Sequence, residues 1–483
     1  MPSEIQDLFE RIERETNVNT IYINSICAWP LIRSVLFSEL QNISEVNSRN
    51  LFTHIREHLE LGLAYGVQIA RTIRRLPFLP RNKMEADVLL FGHSTHYTKV
   101  AGETNRSDRI MDPVASLLGD IGHKKYVLGI LKPGKYRNDF HGFQRRTPRV
   151  KYTLEGIAES GLCKVLHQYG IDEQQLRTLL VRPIQVFLNS YAKTMRIFID
   201  NPHVNTVFLS VWYVPITMGI TAAARTKSIR VVDVQHGAEI SGHAMYCDWS
   251  HLPQDGYLMM PEVFWTWKNN DEETINKSMG KSDKHWGIAN CPTWSNFRAI
   301  QLGVNHSTGE DQDHILLSPT LKVLFTLQAP CFDTKQRIPV FVTKFLEREN
   351  PDVIFNIRRH PNDPGDMNEL RDLKKRRLQT RYTISDSSED LIHSLDNSTH
   401  HLTRFSSVCI DADKRGIPTL LFGEEALEFY PTEISSGRFS WTVGTENDLL
   451  SFLAASRNEI SHSPENISDT LVGLRIILDR SNT

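Results

Sequence analysis

The sequence predicts an α/β protein made of two doubly wound parallel domains that face a cleft, with a helical segment in front. Three observations predict it. The chain has 483 residues, more than one hydrophobic core usually serves. In the first half, the apolar runs VNTVFLSV (204–211) and RVVDVQHG (230–237) flank the helical run PITMGITAAARTKSI (215–229). In the second half the same alternation returns several times. Strands that are apolar throughout and joined by helices belong to parallel sheets covered on both faces.

The elements follow in order. Residues 1–84 read as helices. Ile5, Leu8, Phe9 and Ile12 share one helical face behind a Ser3 cap, and Trp29, Ile32, Val35, Leu36 and Leu40 repeat the pattern. A third helix runs from about Asn50 to Leu76, with Arg71, Arg74, Arg75, Arg81 and Lys83 among apolar residues. Residues 85–250 form the first Rossmann-like domain. Its strands are DVLLFG (87–92), KYVLGI (125–130) and the two named above, and Asp112-Pro113 reads as a helix cap with proline in the first turn. Residues 251–320, irregular and carrying Trp265, Trp267, Trp286 and Trp294, read as the interdomain connection. Residues 321–483 form the second Rossmann-like domain. Its strands are LKVLFTLQ (321–328), DVIFNIRRHP (352–361), RYTISD (381–386), HHLTRFSS (400–407) and IPTLLFG (417–423), with helices at 338–350, 387–397 and 408–416.

Composition removes several classes. A net charge of −2 gives no global field for nucleic acid. Six scattered cysteines without a CxxC pair fit a reducing cytoplasm better than a zinc ribbon or a disulfide scaffold. No run of about 18 apolar residues marks a membrane span, and the charged start MPSEIQDLFERIERE does not read as a secretory signal. The expected location is cytoplasmic. The basic stretch Arg71–Lys83 adds an expected peripheral contact with an anionic membrane. There is no GxxxxGK[ST], no GxGxxG after the first strand, no GxSxG and no HExxH. Asp311-Gln312-Asp313 and Asp411-Ala412-Asp413 match DxD only formally, and no metal is expected.

Ligands of open parallel sheets bind beyond the carboxyl ends of the strands. That rule selects four loops. DVIFNI ends in Arg358-Arg359-His360-Pro361, cation and imidazole suited to a phosphate. HHLTRF ends in Ser406-Ser407 directly before a helix, whose free N–H groups attract an anion, and Asp411 one turn later is placed for a ribose or base. RVVDV ends in Gln235-His236-Gly237, with Asp233 on the same strand face as Gln235. Either Asp233 or His236 is the candidate for acid–base or nucleophilic work. His93, His96 and Gln235 are candidate contacts to acceptor or donor.

These loops, in this order, resemble those of bacterial GT-B sialyltransferases, polysialyltransferases and the Kdo transferases of capsule and lipopolysaccharide. In that group a His-Pro motif and a Ser-rich motif of the second domain hold the cytidine monophosphate of the donor; here they match His360-Pro361 and Ser406-Ser407. The similarity runs over about residues 85–450, and teichoic-acid polymerases share RxHP and Ser-Ser elements. The resemblance implies a GT-B fold and a metal-independent glycosyltransferase without cofactor. It would move Kdo or another 2-keto acid sugar from a CMP donor to a glycan or glycolipid acceptor. A UDP- or GDP-sugar, a CDP-glycerol donor, or a degenerate scaffold are the rivals. One departure stands out: where the sialyltransferases carry an acidic Asp-Gly base, this chain has His236-Gly237. The base, and with it inversion or retention, stays open between His236 and Asp233.

Overall fold

The structure is a computed structural model. It describes residues 2–44, 85–93, 96–99, 106–130, 141–142, 150–237, 243–279, 282–294, 320–328, 337–360, 368–376, 378–386, 389–455 and 467–479. The third expected helix, the basic stretch from Arg71 to Lys83 and Pro361 lie outside the described residues.

Two parallel sheets organise the chain. The strands in chain order are β1 (Tyr22–Ile23), β2 (Ile26–Cys27), β3 (Val88–His93), β4 (Tyr97–Lys99), β5 (Arg106–Asp108), β6 (Lys125–Ile130), β7 (His141–Gly142), β8 (Leu154–Glu155), β9 (Thr206–Leu209), β10 (Arg230–Val234), β11 (Val263–Trp265), β12 (Trp286–Ile288), β13 (Leu321–Thr326), β14 (Val353–Arg358), β15 (Arg381–Ser385), β16 (His400–Thr403), β17 (Thr419–Phe422) and β18 (Ser440–Thr442). The first sheet has the order β12-β11-β10-β9-β3-β6-β7 and the second β15-β14-β13-β16-β17-β18. Counted from its own first strand, each sheet begins 3-2-1-4-5-6, the order of a dinucleotide-binding α/β fold. The chain is thus two Rossmann-like domains, as the apolar strand runs predict.

Those runs explain the parallel pairing. Val88–Phe91, Thr206–Leu209 and Arg230–Val234 are buried at every residue, because helices cover both faces of the sheet. Val207, Leu209, Val231 and Phe264 join one core; Val88, Leu90, Phe208, Val232 and Val263 join the other. The second sheet has its own core around Val323, Phe325, Phe355, Ile357 and Leu402.

Residues 251–320 do more than connect the domains. Val263–Trp265 and Trp286–Ile288 complete the first sheet, paired in parallel with β10 and with each other. Runs of three residues are too short to show a strand period, so the sequence hides them. The chain also comes back. Leu474 and Ile477 of the helix Ile467–Leu478 pack into the first domain's core, and Arg230 donates to the carbonyl of Asp479 at 2.8 Å.

The N-terminal segment is mixed rather than purely helical. Helix Pro2–Glu15 starts ahead of Ser3, the expected cap, and buries Leu8, Phe9 and Ile12. Helix Trp29–Ser44 buries Trp29, Ile32, Val35, Leu36 and Leu40. Between them β1 pairs antiparallel with β2 and β8. Helix Met111–Asp120 is capped by Asp108, not Asp112: Oδ1 of Asp108 accepts from the N–H groups of Ile110 and Met111 at 2.9 and 3.1 Å.

Candidate functional site

The switch point of each sheet lies where strand order reverses, between β3 and β9 in the first and between β13 and β16 in the second. Nearly all the residues singled out in the sequence sit at these two edges.

On the second domain, Arg358 is buried and structural. It donates to Ser394 Oγ at 3.0 Å and to the Glu389 carbonyl at 2.7 Å, and burial lowers its pKa to about 10. Arg359, with its side chain 20% exposed, lies 3.5 Å from the Asp386 carboxylate. His360 follows it at the strand end, half-buried. At the end of β16, Ser406 Oγ accepts from Val408 N–H at 3.4 Å, a long capping bond. Ser407 makes no capping bond to helix Val408–Asp413, and both it and Asp411 line the cleft between the domains.

On the first domain, histidines gather. His93 ends β3, His96 follows it, and His236 follows β10. Ring centroids lie 5.6 Å apart for His93–His96 and 5.4 Å for His96–His236. His96, 3% exposed, is 3.2 Å from Ser210 Oγ at the end of β9, and His236 Nε2 is 3.4 Å from the Tyr213 hydroxyl. Burial pushes all three rings down, His93 to about 4, His236 to about 3 and His96 well below its usual value. His93 and His236 are therefore neutral at pH 7.

Asp233 is placed away from this edge. Its carboxyl is 2% exposed and does not line the cleft. Oδ1 accepts from Trp212 N–H at 3.2 Å and Oδ2 from the Tyr246 hydroxyl at 2.8 Å. Burial raises its pKa well above the usual carboxylate range. The reason is local backbone strain. Val211, a β-branched residue, has φ +58°, a conformation that costs energy outside glycine. The turn it makes after β9 is held by Asp233 on the Trp212 N–H and by Thr217 Oγ1, which donates to the Val211 carbonyl at 2.7 Å. The catalytic role expected of Asp233 therefore has no geometric support. Gln235 is structural too. Its Nε2 donates to Asp271 Oδ2 at 2.9 Å and its Oε1 accepts from Trp267 N–H at 2.6 Å, which fixes Trp267 at the cleft.

The two edges meet in a narrow cleft with about 20 Å³ of open space. Arg109, His236 and Trp267 line it from the first domain, Ser407 and Asp411 from the second, and Pro292–Trp294, where the chain crosses over, from below. Trp294 is embedded in the second domain beside Leu324 and Val408. Trp267 Nε1 is buried and has no hydrogen-bond partner among the described residues. Across the rim, Lys268 pairs with Glu433 and Asn270 donates to Thr432 at 2.7 Å. Arg109, Trp267 and Thr293 escape a motif reading because they lie on a hairpin exit and in an aperiodic stretch. Arg109 carried one signal, a cation between two acids in SDRIMD. Among the described residues no three His, Cys, Asp or Glu side chains come together as a metal site, and no helix is long and apolar enough to cross a membrane.

No family model matches this chain, and no curated protein is similar to it in sequence. Solved structures are similar in part. The UDP-GlcNAc 2-epimerase of Neisseria meningitidis bound to UDP-GlcNAc is 13% identical over 81% of this chain and 98% of its own, with a TM-score of 0.48. The UDP-GlcNAc 2-epimerase of Methanocaldococcus jannaschii in complex with UDP-GlcNAc and UDP is 11% identical over 81% and 99%, with a TM-score of 0.49. A spinosyn rhamnosyltransferase is 10% identical over 81% and 94%, with a TM-score of 0.34.

Proposed function

We propose that this chain is a nucleotide-sugar-dependent glycosyltransferase, with donor phosphate on the second domain and acceptor on the first. One observation carries the reading: the switch points of two Rossmann-order sheets open on one cleft, with Arg109 and His236 on one wall and Ser407 and Asp411 on the other. A cleft between two such edges suits a ligand with two chemically different ends. Trp267 adds a buried indole donor with no acceptor among the described residues, a group that a bound ligand satisfies.

In this reading Arg359, His360 and Ser407 stabilise the charge that develops on the departing phosphate. Asp411 is placed for the ribose or base. His236 takes the acceptor hydroxyl's proton. It is unprotonated at pH 7, as a base must be, although a pKa near 3 makes it a weak one. With Asp233 turned into the core, the reaction is a single displacement, which inverts the anomeric carbon. The loop motifs keep a CMP-linked 2-keto sugar among the donors, beside UDP- and GDP-sugars, and a glycan or glycolipid as acceptor.

Thermal shift with CMP, CDP, UMP, UDP and GDP tests the reading. A ligand present at a hundred times its dissociation constant stabilises by about 2.7 kcal/mol. The expected result is a clear rise in Tm with one nucleotide family, which then names the donor. No rise with any of the five removes the proposal.

A further inference from the structure

Resting on that reading, we propose that Tyr213 is the positioning residue of the base: its hydroxyl oxygen accepts from Nε2–H of His236, which leaves Nδ1 as the nitrogen that takes the proton. The Tyr213 hydroxyl lies 3.4 Å from His236 Nε2, and His236 Nδ1 is buried with no hydrogen-bond partner among the described residues. A neutral imidazole has one N–H and one lone pair, and the bond made at one nitrogen decides which is which. A buried N–H without an acceptor is rarer than a buried acceptor without a donor. The proton therefore belongs on Nε2, against the Tyr213 oxygen, and the lone pair on Nδ1.

The strained turn after β9 delivers this hydroxyl. Tyr213 lies two residues beyond Val211, whose φ of +58° survives only because its surroundings hold it. Asp233 Oδ1 holds the Trp212 N–H, and Thr217 Oγ1 donates to the carbonyls of Val211 and Trp212 at 2.7 and 2.9 Å. Ser34 donates to the Tyr213 carbonyl at 2.5 Å. The ring is fixed as well. It packs on His243 with centroids 4.6 Å apart and meets Tyr246 edge-on at 5.7 Å. Tyr246 is the residue whose hydroxyl donates to Asp233 Oδ2, so one carboxyl secures both the backbone beside Tyr213 and a ring packed on it. The proposed step balances. The acceptor's hydroxyl proton passes to Nδ1, the oxygen's electron pair forms the glycosidic bond, and the bond to the donor phosphate breaks with its electrons on the phosphate. The ring is then an imidazolium, and its Nε2–H bond to the Tyr213 oxygen becomes charge-assisted and stronger. An interaction that strengthens along the reaction raises kcat rather than donor affinity.

Ring ¹⁵N spectra of the histidine-labelled full chain at neutral pH, with His236 assigned through His236→Gln, read the tautomer without any ligand. The expected result is Nε2–H with an unprotonated Nδ1, and a shift towards mixed tautomers in Tyr213→Phe, which keeps the ring and its packing. Nδ1–H in the wild type overturns the proposal, and so does an unchanged tautomer in a folded Tyr213→Phe. If Tyr213→Phe does not fold, the wild-type tautomer decides alone. Turnover gives the second readout, with a sugar donor of the nucleotide that thermal shift selects. Tyr213→Phe should lower kcat about fivefold, the loss of one hydrogen bond, and leave nucleotide affinity unchanged. A wild-type kcat in that variant overturns the positioning role. Nucleotide stabilisation with Nδ1–H on His236 rejects the role of Tyr213 and leaves the transferase reading intact. The Nε2–H tautomer without stabilisation by any nucleotide keeps the Tyr213–His236 pairing and removes the transferase reading.

Discussion

The two walls of the cleft are built in opposite ways. The first-domain wall is largely buried, and a second layer holds it in place. Tyr246 and His243, which contact Asp233 and Tyr213, lie on the stretch 243–250. That stretch is clamped by the N-terminal segment. Arg33, fully buried, donates to the carbonyls of Ala244 and Cys247 at 3.0 Å each and stacks over Trp249, while Glu13 accepts from Ser250 and pairs with Arg33. The second-domain wall is more exposed: Arg359, His360, Ser407 and Asp411 are all only half-buried. Arg359 lies 3.5 Å from the exposed Asp386 carboxylate, and Ser407 makes no capping bond. The contrast teaches that burial marks support here, and that the ligand-facing groups are the less constrained ones. Under the proposed function, the supported wall would carry the base and the more exposed wall the donor.

The largest effect tests the clamp. Arg33→Ala strands the Glu13 carboxylate in the core, and an uncompensated buried charge costs about 3–5 kcal/mol. Denaturant unfolding should show that loss. Arg33→Met with Glu13→Leu removes both charges and should recover most of it. If Arg33→Ala unfolds at the wild-type midpoint, the N-terminal segment does not support the first wall.

Asp233 comes next, and it separates structural from catalytic burial. Asp233→Ala leaves the Trp212 N–H and the Tyr246 hydroxyl without their acceptor, at about 1–3 kcal/mol for each. Asp233→Asn keeps an acceptor for Trp212 and should cost much less, with transfer retained. Burial raises the carboxyl's pKa in the folded state, so the folded chain binds more protons than the unfolded one above the ordinary carboxylate pKa, and this site's contribution falls as pH rises through that window. Asp233→Asn should flatten that slope. A dead but fully folded Asp233→Asn would return the carboxylate to the reaction.

Most of the architecture was legible because fully apolar strands announce a parallel sheet. The strands at 88–93, 125–130, 321–326 and 353–358 lie within a residue or two of their sequence runs. What escaped was short or non-local. Val263–Trp265 and Trp286–Ile288 are too brief to show a period, and the return of helix Ile467–Leu478 to the first core is a tertiary choice that no local pattern encodes. At the site, the strand-end rule selected His93, His96, His236, Ser407 and Arg359, and of these the structure places His236 and Ser407 on the cleft. It gave no sign that Asp233 is buried, because side-chain alternation gives a face and not a depth, and its carboxyl is bound to the turn after Val211, twenty-two residues earlier. Arg109 was not selected because its place beside His96 depends on the antiparallel pairing of β4 and β5, after which its N–H donates to the His96 carbonyl at 3.1 Å.

The smallest effects fall on the open wall, and they divide two adjacent serines. Ser406 makes a long bond to Val408 N–H and so belongs to the helix start; Ser407 makes none and lines the cleft. Ser406→Ala should lower stability by about 0.5–1 kcal/mol, the low end for a cap, with little change in nucleotide affinity. Ser407→Ala should leave stability within about 0.5 kcal/mol of wild type, as surface changes do. It should instead weaken the nucleotide by about 1 kcal/mol, near fivefold, if its hydroxyl holds a phosphate oxygen. Calorimetry of the nucleotide found by thermal shift, run beside denaturant unfolding of both variants, reads the two quantities separately. The division rests on a difference in kind, so the signs matter more than the sizes. If Ser406→Ala loses affinity and Ser407→Ala loses stability, the assignments of cap and ligand group are reversed. If both serines lose affinity and their double variant loses more than the sum, they share one phosphate, and the open wall is more organised than its hydrogen bonds show.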